Sequence, residues 1–393
     1  MRILLVQNFP YFPSYAGGSR SDRLMIAALA RRGHDCRVVA RINDSSPGAR
    51  AKYLCELNER GVVPEQVQAD VITFFLDLTE VHIATADIRA CAAEQLTVFR
   101  PDLVLISTDP LNVLISDFTR TKAAKLVYLA RTTTLLPFGP DSAFPSKTKT
   151  DAIRRADAVI AVSHYLADYI LEYSGIPAIQ VPIDLMDANV WPTLGHLDNP
   201  FVTMVNPCAL KGISIFLGLA DAFPSVAFAA VPTWGTTSAD RAELATRPNV
   251  HLLTPVDDIR DIFRRTRVTL VPSLWSEAWG RIVVESMLSG VPVIASDQAG
   301  LREAAMGVAV LIPVTPITKY KHGVDEHMIR APEVPPQNLT PWCEALSRLL
   351  TFRDYYAQMS QRSREAALRY VDGSRIDLLE YFLDNLTSGS VSL

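Results

Sequence analysis

The feature that most constrains the fold is a repeated alternation of short apolar runs with stretches of helical periodicity. Runs rich in Val, Ile and Leu, such as Arg2 to Val6 and Cys36 to Arg41, flank a helix predicted over Ser21 to Arg32. Strand–helix–strand units of this kind build a mostly parallel sheet whose two faces are covered by helices. The pattern therefore predicts an α/β protein.

The alternation of apolar runs and helical stretches stops once along the chain and then resumes. Residues 183–200 carry Pro192, Gly195 and Pro200, which is typical of a linker between domains. We predict an N-terminal domain over 1–190, a C-terminal domain over 191–370, and a final helix with a loose tail over 371–393. A helical stretch over 340–386 has no strand after it, so it is expected to pack outside its own sheet. Further strands are predicted at 71–76, 103–107, 125–130, 158–162, 201–205, 226–231, 250–253, 268–271 and 291–295, with helices between them.

Charge and cysteine content exclude several classes of protein. The 393 residues include 38 basic and 42 acidic side chains, and a net charge of −4 offers no general field for nucleic acid. The five cysteines are scattered singly, which indicates a reduced chain in the cytoplasm without a structural metal. No apolar run predicts a transmembrane segment, although a local basic patch over 120–155 leaves peripheral membrane contact open.

The segment from Ser273 to Glu285, S-L-W-S-E-A-W-G-R-I-V-V-E, is the most informative in the chain. Glu277 follows a predicted buried strand, and Glu285 lies eight residues later, near the second turn of the next helix. In a doubly wound sheet, ligands bind outside the carboxyl ends of the strands. Carboxylates there accept paired hydrogen bonds from vicinal hydroxyls, which indicates a sugar or ribose site. Two isolated glutamates are also compatible with solvated surface acids.

Three other loops between a strand and a helix carry residues suited to phosphate. Lys211 supplies a point charge in one loop, and Gly300, followed by Leu301, begins another helix. Gly17 and Gly18 occupy the corresponding loop of the first half. Glycines permit close backbone approach to a helix N-terminus, where anions bind. Each of these features alone is also typical of an ordinary turn or surface lysine.

Taken together, these segments resemble a known family. The G-G loop followed by L-A-R-R-G-H-D-C-R-V-V, the A-D-A-V-I-A-V-S-H-Y-L segment, the K-G pair and the E-x7-E spacing resemble retaining glycosyltransferases of family 4, the group 1 class with the GT-B fold. The resemblance covers nearly the whole chain. It implies two Rossmann-like domains facing across a cleft, with the C-terminal helix returning to the N-terminal domain.

The resemblance also implies a role for each candidate residue. Glu277 would hold hydroxyls of the donor sugar, and Glu285 would hold the ribose of the nucleotide. Lys211 and the loop at Gly300 would neutralise the diphosphate. Glu277 and Lys211 are therefore the predicted catalytic pair. The remaining predicted donor-binding residues are Gly17, Gly18, Asn206, Gly280, Arg281 and Leu301.

Two positions depart from the family pattern. Many relatives carry an arginine where this chain has Asn206, so one positive charge fewer would face the diphosphate, and an Asn206→Arg substitution should tighten nucleotide binding. Many relatives also have a histidine or an aspartate in an N-terminal loop near the reacting sugar. The matching loop here offers only Arg131, Thr132 and Thr133, which become the acceptor-side candidates.

The expected activity is transfer of a sugar from a nucleotide diphosphate sugar to a small-molecule, glycan or lipid hydroxyl, with retention and without a cofactor. The chain has no D-x-D sequence, so a metal-bridged diphosphate is not expected. Three alternatives stay open. They are a catalytically silent protein of the same fold that binds a nucleotide or a partner, the same fold used for phosphorolysis or non-glycosidic coupling, and a NAD(P)-type oxidoreductase, against which the absence of G-x-G counts.

Overall fold

The computed structural model describes residues 1–14, 16–42, 48–120, 124–181, 186, 191–327, 329–373 and 376–389. Contacts between residues group the chain into two compact units, one of Met1–Met186 with Ser374–Leu393 and one of Asp187–Gly373. Residues 183–185 and 187–190 of the predicted linker, and residues 390–393 of the predicted tail, lie outside the described residues.

The first unit is built on one nine-stranded sheet. Its strands are β1 (Arg2–Gln7), β2 (Asp35–Arg41), β3 (Gln66–Val67), β4 (Val71–Leu76), β5 (Thr79–Ala84), β6 (Leu103–Ser107), β7 (Lys125–Ala130), β8 (Ala158–Ala161) and β9 (Ile179–Gln180). Its helices before the linker are α1 (Gly17–Arg31), α2 (Ala49–Glu59), α3 (Ile88–Phe99), α4 (Val113–Phe118), α5 (Lys147–Arg154) and α6 (His164–Ser174). The strand order is β3-β4-β5-β2-β1-β6-β7-β8-β9. The central strands are parallel and buried on both faces, which explains their continuous apolar runs.

One edge of this sheet differs from the predicted pattern. A helix was expected to follow β4 directly, but β4 turns back and pairs with β5 in antiparallel register, Leu76 opposite Thr79. Asp77 and Leu78 form the turn with φ values of 50° and 66°. Two-residue hairpin turns need positive φ and usually contain Asn-Gly or Asp-Gly. Because Asp77-Leu78 contains no glycine, the sequence carried no signal for this hairpin.

The second unit repeats the architecture with a smaller sheet. Its strands are β10 (Phe201–Val205), β11 (Ala227–Val231), β12 (Val250–Leu252), β13 (Thr266–Val271), β14 (Val293–Ser296), β15 (Val310–Ile312), β16 (Tyr320–Val324) and β17 (Arg330–Pro332). Its helices are α7 (Ile213–Ala222), α8 (Ser238–Ala245), α9 (Arg260–Phe263), α10 (Arg281–Leu288), α11 (Leu301–Ala304), α12 (Thr340–Thr351) and α13 (Arg353–Gly373). Six parallel strands have the order β12-β11-β10-β13-β14-β15, and β16 and β17 form a separate antiparallel hairpin.

The last helix belongs to the first unit. The helical stretch predicted over 340–386 consists of α12, α13 and α14 (Ile376–Ser388), and α14 buries three leucines in the core of the first unit. Glu380 of α14 accepts hydrogen bonds from Arg32 Nε at 2.5 Å and pairs with His34 Nε2 at 2.7 Å. Partial burial would raise the pKa of Glu380, but the hydrogen bonds from His34 and Arg32 and the charge of Arg32 hold it below its ordinary value.

The predicted class, an α/β protein of two Rossmann-like domains with the C-terminal helix in the N-terminal one, is confirmed. In the second unit, β10 lies between β11 and β13, so the chain leaves β10 on one side and later returns on the other. This is the topological switch point, outside which ligands of doubly wound sheets bind. The loops that follow β10, β13 and β14 meet at this edge.

Candidate functional site

Backbone hydrogen bonds join the loops that carry Lys211 and Glu277. Leu210 O accepts hydrogen bonds from the backbone N–H groups of Leu274 at 2.9 Å and of Trp275 at 3.3 Å. These loops follow the neighbouring strands β10 and β13. The approach of the two predicted site segments is therefore a property of the backbone and not only of the two charged side chains.

A glycine makes this approach possible. Gly212, directly after Lys211, has a φ of 80°, and a Cβ atom there would lie 1.9 Å from Pro272 O. No other residue fits such a position, because the Cβ would overlap a backbone oxygen and the left-handed conformation disfavours L side chains. The K-G pair thus places Lys211 against the loop after β13.

Lys211 and Glu277 form an ion pair near the surface. Lys211 Nζ donates to Glu277 Oε1, and Ser273 Oγ donates to the same oxygen at 2.6 Å. The side chains of Lys211 and Glu277 are 18% and 13% exposed. The pair is thus partly desolvated, which strengthens its electrostatic interaction, while solvent still reaches both groups.

The environment keeps Glu277 ionised. Burial alone would raise the pKa of its carboxyl group, but the charge of Lys211 and hydrogen bonds from Lys211 and Ser273 outweigh burial, and the pKa lies below its ordinary value. At neutral pH Glu277 is therefore a hydrogen-bond acceptor. It is suited to bind hydroxyl groups and is not suited to donate a proton.

Two indole rings border the Lys211 ammonium group. Nζ lies 4.7 Å from the ring centroid of Trp275 and 5.9 Å from that of Trp234, and the two centroids are 6.0 Å apart. Both distances are within the range of cation–π attraction. Trp234 comes from the loop after β11, so loops after three strands surround this charge.

Glu285 lies on the second turn of α10, as predicted, and its carboxylate is paired with an arginine of the same helix. Arg281 Nε donates to Glu285 Oε1 at 2.8 Å, an (i, i+4) pair whose side chains are 12% and 6% exposed. The N-cap of α10 is Gly280, where a Cβ would approach Leu301 Cδ2 to 2.8 Å. Arg281 therefore orients the Glu285 carboxylate, and the φ of 141° at position 280 favours glycine.

Gly300 has a packing role that the sequence did not predict, and its contact with a ligand stays a prediction. We expected the glycine to let a ligand approach the backbone, but a Cβ there would lie 2.4 Å from Ala278 O and 2.8 Å from Glu277 O. The Gly300 N–H donates to Glu277 O at 2.8 Å. The side chain of Leu301 is fully buried in the unit. These two residues support the Glu277 loop from behind, because the group that needs the space is protein backbone.

Asn206 also has a structural role that the amino-acid sequence did not predict. It has a φ of 58°, is 4% exposed, and its Oδ1 accepts a hydrogen bond from Gly235 N at 2.9 Å and from Thr236 Oγ1 at 3.4 Å. Asn206 thus ties the loop after β10 to the loop after β11. The side chain points to protein and not to open space for a diphosphate.

In the first unit, α1 begins at Gly17, and its N-cap residue, Ala16, provides no side-chain cap. A Cβ on Gly18 would make ordinary contacts of 3.5 Å with Arg131 Cβ and 3.6 Å with Thr108 Oγ1. Space alone therefore does not demand a glycine at position 18. The role of Gly17 and Gly18 in ligand contact stays a prediction.

Of the acceptor-side candidates, the side chain of Arg131 and the whole of Thr133 are buried. Arg131 Nη2 donates to Asp22 Oδ1, and Ser107 Oγ donates to Asp22 Oδ2 at 2.6 Å. The side chains of Arg131 and Asp22 are 4% and 0% exposed, and Thr133 is fully buried. Thr132 is partly exposed and caps the turn that follows. In this conformation only Thr132 is accessible to an acceptor.

Comparison with known proteins identifies the family. Residues 15–183 match the Glycosyltransferase Family 4 profile, and residues 209–328 match the profile of Glycosyl transferases group 1. The second match contains the Lys211–Glu277 pair and Glu285. The two segments together cover well over half of the chain. The protein belongs to the group 1, family 4 glycosyltransferases.

A protein from the cps region of Klebsiella pneumoniae, described as uncharacterized, shares 33% identity over 95 residues, a match that covers 24% of this chain and 25% of that protein. Among solved structures, sucrose-phosphate synthase from Thermosynechococcus elongatus has a TM-score of 0.70 at 14% identity and covers 99% of this chain and 100% of its own. HepE of Anabaena, solved with UDP-glucose, has a TM-score of 0.67 at 17% identity, covering 98% and 100%. The similarities to the two solved structures confirm the GT-B fold of this glycosyltransferase.

Sequence reasoning missed two contributors to the candidate site. Ser273 donates to Glu277, and Trp234 borders Lys211 from a loop that we had not considered. A signal for Trp234 was available, since its loop also follows a strand of the same sheet on the side where ligands bind. Asp22, the buried partner of Arg131, had no such signal, because an acid within a helix is usually a solvated residue.

Two features are absent from the described part of this glycosyltransferase. No cluster of three or more His, Cys, Asp or Glu side chains with the arrangement of a metal site occurs in that part. None of its helices combines the length and the apolar character that crossing a membrane requires.

Proposed function

We propose that this protein transfers a sugar from a UDP-sugar to a hydroxyl acceptor. The observation that carries the proposal is the Lys211–Glu277 pair, a partly exposed cation and carboxylate at the switch point of the sheet in a glycosyltransferase family member. HepE, which has the same fold, has been solved with UDP-glucose, and this supports UDP as the nucleotide. The acceptor is a small molecule, a glycan or a lipid, and we place the reaction in the cytoplasm.

In the proposed complex, Lys211 exchanges its carboxylate partner for the diphosphate of the donor. A diphosphate carries more negative charge than a carboxylate and is exposed to the same ammonium group, so it can compete for Lys211. Glu277 then turns its acceptor oxygens to the hydroxyl groups of the sugar, while Ser273, which lies 2.6 Å from Oε1 in the free protein, still holds the carboxylate. The ion pair of the free protein thus becomes two contacts to one ligand.

Glu285 is proposed to bind the two ribose hydroxyls. Its carboxylate is fixed by Arg281 at 2.8 Å, so its position is set before the ligand arrives. A carboxylate has about four acceptor directions, which allows it to keep Arg281 and also accept from hydroxyl groups. Arg281 is then a positioning residue for the nucleotide.

The transfer is proposed to proceed with retention and without a protein nucleophile. The bond between the anomeric carbon and the diphosphate oxygen breaks, the acceptor oxygen bonds to the same face of that carbon, and the acceptor proton passes to the leaving diphosphate. Lys211 stabilises the charge that develops on the diphosphate, so the proposal needs no resident metal ion. Glu277 holds the sugar in place during the exchange.

A panel of nucleotides in thermal unfolding tests the donor. UDP and UDP-sugars should raise the unfolding temperature as their concentration increases, because they bind only the native state. GDP, ADP and NAD should not do so at equal concentration. A stabilising effect of NAD alone, or of no nucleotide at all, would reject the proposal.

Turnover separates an enzyme from a silent binding protein. We expect the best UDP-sugar of the panel to release UDP when glycan, polyol and lipid acceptors are supplied, and the anomeric coupling of the product in NMR should match that of the donor. Binding without UDP release under every acceptor would favour the silent protein. An inverted product would reject the retaining mechanism while leaving the transferase assignment in place.

A further inference from the structure

The hairpin of β16 and β17 lies outside the six-stranded sheet but reaches two loops of the candidate site. Just before the hairpin, Ile317 N donates to Leu274 O at 2.8 Å, and Leu274 is in the loop that carries Glu277. At the other end, Glu326 and His327 at the hairpin tip contact the residues that follow Trp234. One segment therefore connects the two loops that border Lys211.

The contacts at the hairpin tip are specific. Glu326 Oε1 accepts from Ser238 N and Glu326 Oε2 accepts from Ser238 Oγ, both at 2.6 Å. His327 Nε2 lies 3.1 Å from Thr236 O. The two hydrogen bonds from Ser238, from its side chain and its backbone, lower the pKa of Glu326. The carboxylate thus caps the first turn of α8 from outside that helix.

The hairpin itself is well held. Asp325 Oδ1 accepts from His327 N and from Ile329 N, each at 2.9 Å, and Asp325 N donates to Ile329 O at 2.8 Å. Ile329 packs against the hydrophobic core of the second unit. Arg330 lies over the ring of Tyr320 at 4.6 Å. Because the tip is fixed to the core, it can restrain the loop it contacts.

That loop, residues 232–237, is here called the Trp234 loop. Asn206 binds it from inside through Gly235 N and Thr236 Oγ1, and the hairpin tip binds its end from outside. Between these two attachments, Trp234 places its ring 5.9 Å from Lys211 Nζ. Lysine has a flexible four-carbon side chain, so its ammonium position depends on such neighbours.

We propose that the hairpin tip is a brace for the diphosphate site: Glu326 and His327 hold the Trp234 loop, and Trp234 together with Trp275 positions Lys211 for the diphosphate. Trp234 and Glu326 are positioning residues, since they act through Lys211. The inference rests on the proposed function and adds to it the elements that order the phosphate-binding lysine before the ligand arrives.

The affinity of the full-length protein for UDP, measured by calorimetry well below the unfolding temperature, tests this brace. A Trp234→Leu substitution should weaken UDP binding about tenfold, because it removes a cation–π partner and keeps an apolar side chain. Trp234→Phe should recover much of the loss. Glu326→Ala should weaken binding about threefold and raise KM more than it lowers kcat. Lys321→Ala, on the same hairpin but exposed, is the matched control and should bind as the wild type does.

A second measurement does not depend on nucleotide binding. The difference in acrylamide quenching between the wild type and Trp234→Phe reports the accessibility of Trp234. The same difference, measured between Glu326→Ala and the double variant with Trp234→Phe, should be larger. Wild-type protein that fails to bind UDP would contradict the proposed function. Wild-type protein that binds UDP, with unchanged affinity and quenching in Glu326→Ala and unchanged affinity in Trp234→Leu, would overturn the brace alone.

Discussion

Each unit holds an ion pair next to the carboxyl ends of its strands, and the two pairs differ in their access to solvent. In the second unit Lys211 and Glu277 are 18% and 13% exposed, whereas in the first unit Arg131 and Asp22 are 4% and 0% exposed. We call Lys211–Glu277 the open pair and propose that it can exchange one partner for a ligand. We call Arg131–Asp22 the sealed pair. It cannot exchange a partner while the unit stays folded, because removing either partner leaves a buried charge. We therefore propose that similar positions in the two units serve ligand binding in the second unit and stability in the first.

The largest effect is expected from breaking the sealed pair. Arg131→Ala should lower the free energy of unfolding of the first unit by about 3 to 5 kcal/mol, because Asp22 would stay buried without its cation. Urea unfolding measures the change. The matched control is Arg89→Ala, which breaks the Arg89–Asp117 pair on the surface of the same unit and should cost less than about 1 kcal/mol. Equal effects of the two substitutions would mean that the Arg131 pair is not sealed.

The open pair should give the opposite result. Lys211→Ala should lower kcat/KM for the donor by about 100-fold or more, because the charge on the leaving diphosphate loses its main partner. Its unfolding free energy should change far less than that of Arg131→Ala. Lys321→Ala provides the control for removal of an exposed lysine. A large loss of stability with retained activity would reverse the roles assigned to the two pairs.

Asn206→Arg tests whether the loop beside Lys211 tolerates an additional positive charge. From the sequence alone, this substitution was expected to tighten nucleotide binding. The structure now predicts destabilisation by about 1 to 3 kcal/mol, because the larger side chain would displace Gly235 and break the hydrogen bond at 2.9 Å. Asn206→Ala, which loses the same hydrogen bonds without adding bulk or charge, is the matched control that separates the two causes. Tighter UDP binding with unchanged stability would restore the earlier interpretation.

The two glutamates distinguish an open acid from a fixed one. Glu277→Gln and Glu285→Gln should each lower kcat/KM at least about tenfold, since each would lose charge-assisted contacts to the donor. Glu285→Gln should also reduce stability measurably, because the Glu285 side chain is 6% exposed and paired with Arg281. Activity and urea unfolding of the same samples give both values. Near-normal activity in both variants would reject the donor site.

Much of the second-unit site was predictable because its determinants are local. The spacing of Glu277 and Glu285 placed one acid in a loop and the other on the second turn of α10, and the apolar run before them predicted β13. Pairs from distant parts of the chain were not predictable. Asp22 and Arg131 are separated by 109 residues, and their contact depends on the packing of α1 against the end of β7.

The glycines show a second limit of the sequence. Gly212 and Gly300 both precede helices, and Gly300 was predicted to let a phosphate approach the backbone. In the structure, each is required because a Cβ would meet the backbone of a neighbouring loop, Pro272 O in one case and Ala278 O in the other. The sequence predicts that space is needed there, but only the tertiary structure shows whether ligand or protein occupies it.

The smallest effect concerns pH and sharpens the description of the open pair. The pKa of Glu277 in the folded protein lies below its ordinary value, so its contribution to stability is present above that ordinary value and is lost as pH falls through the lowered one. The difference in unfolding temperature between wild type and Glu277→Gln should therefore be flat from about pH 6 to 8 and shrink only in acid below about pH 4.5. The UDP affinity of the wild type should likewise show no titration of Glu277 between about pH 6 and 8. A difference that shrinks already near neutral pH would mean that Glu277 titrates there, which the Lys211 and Ser273 contacts do not allow.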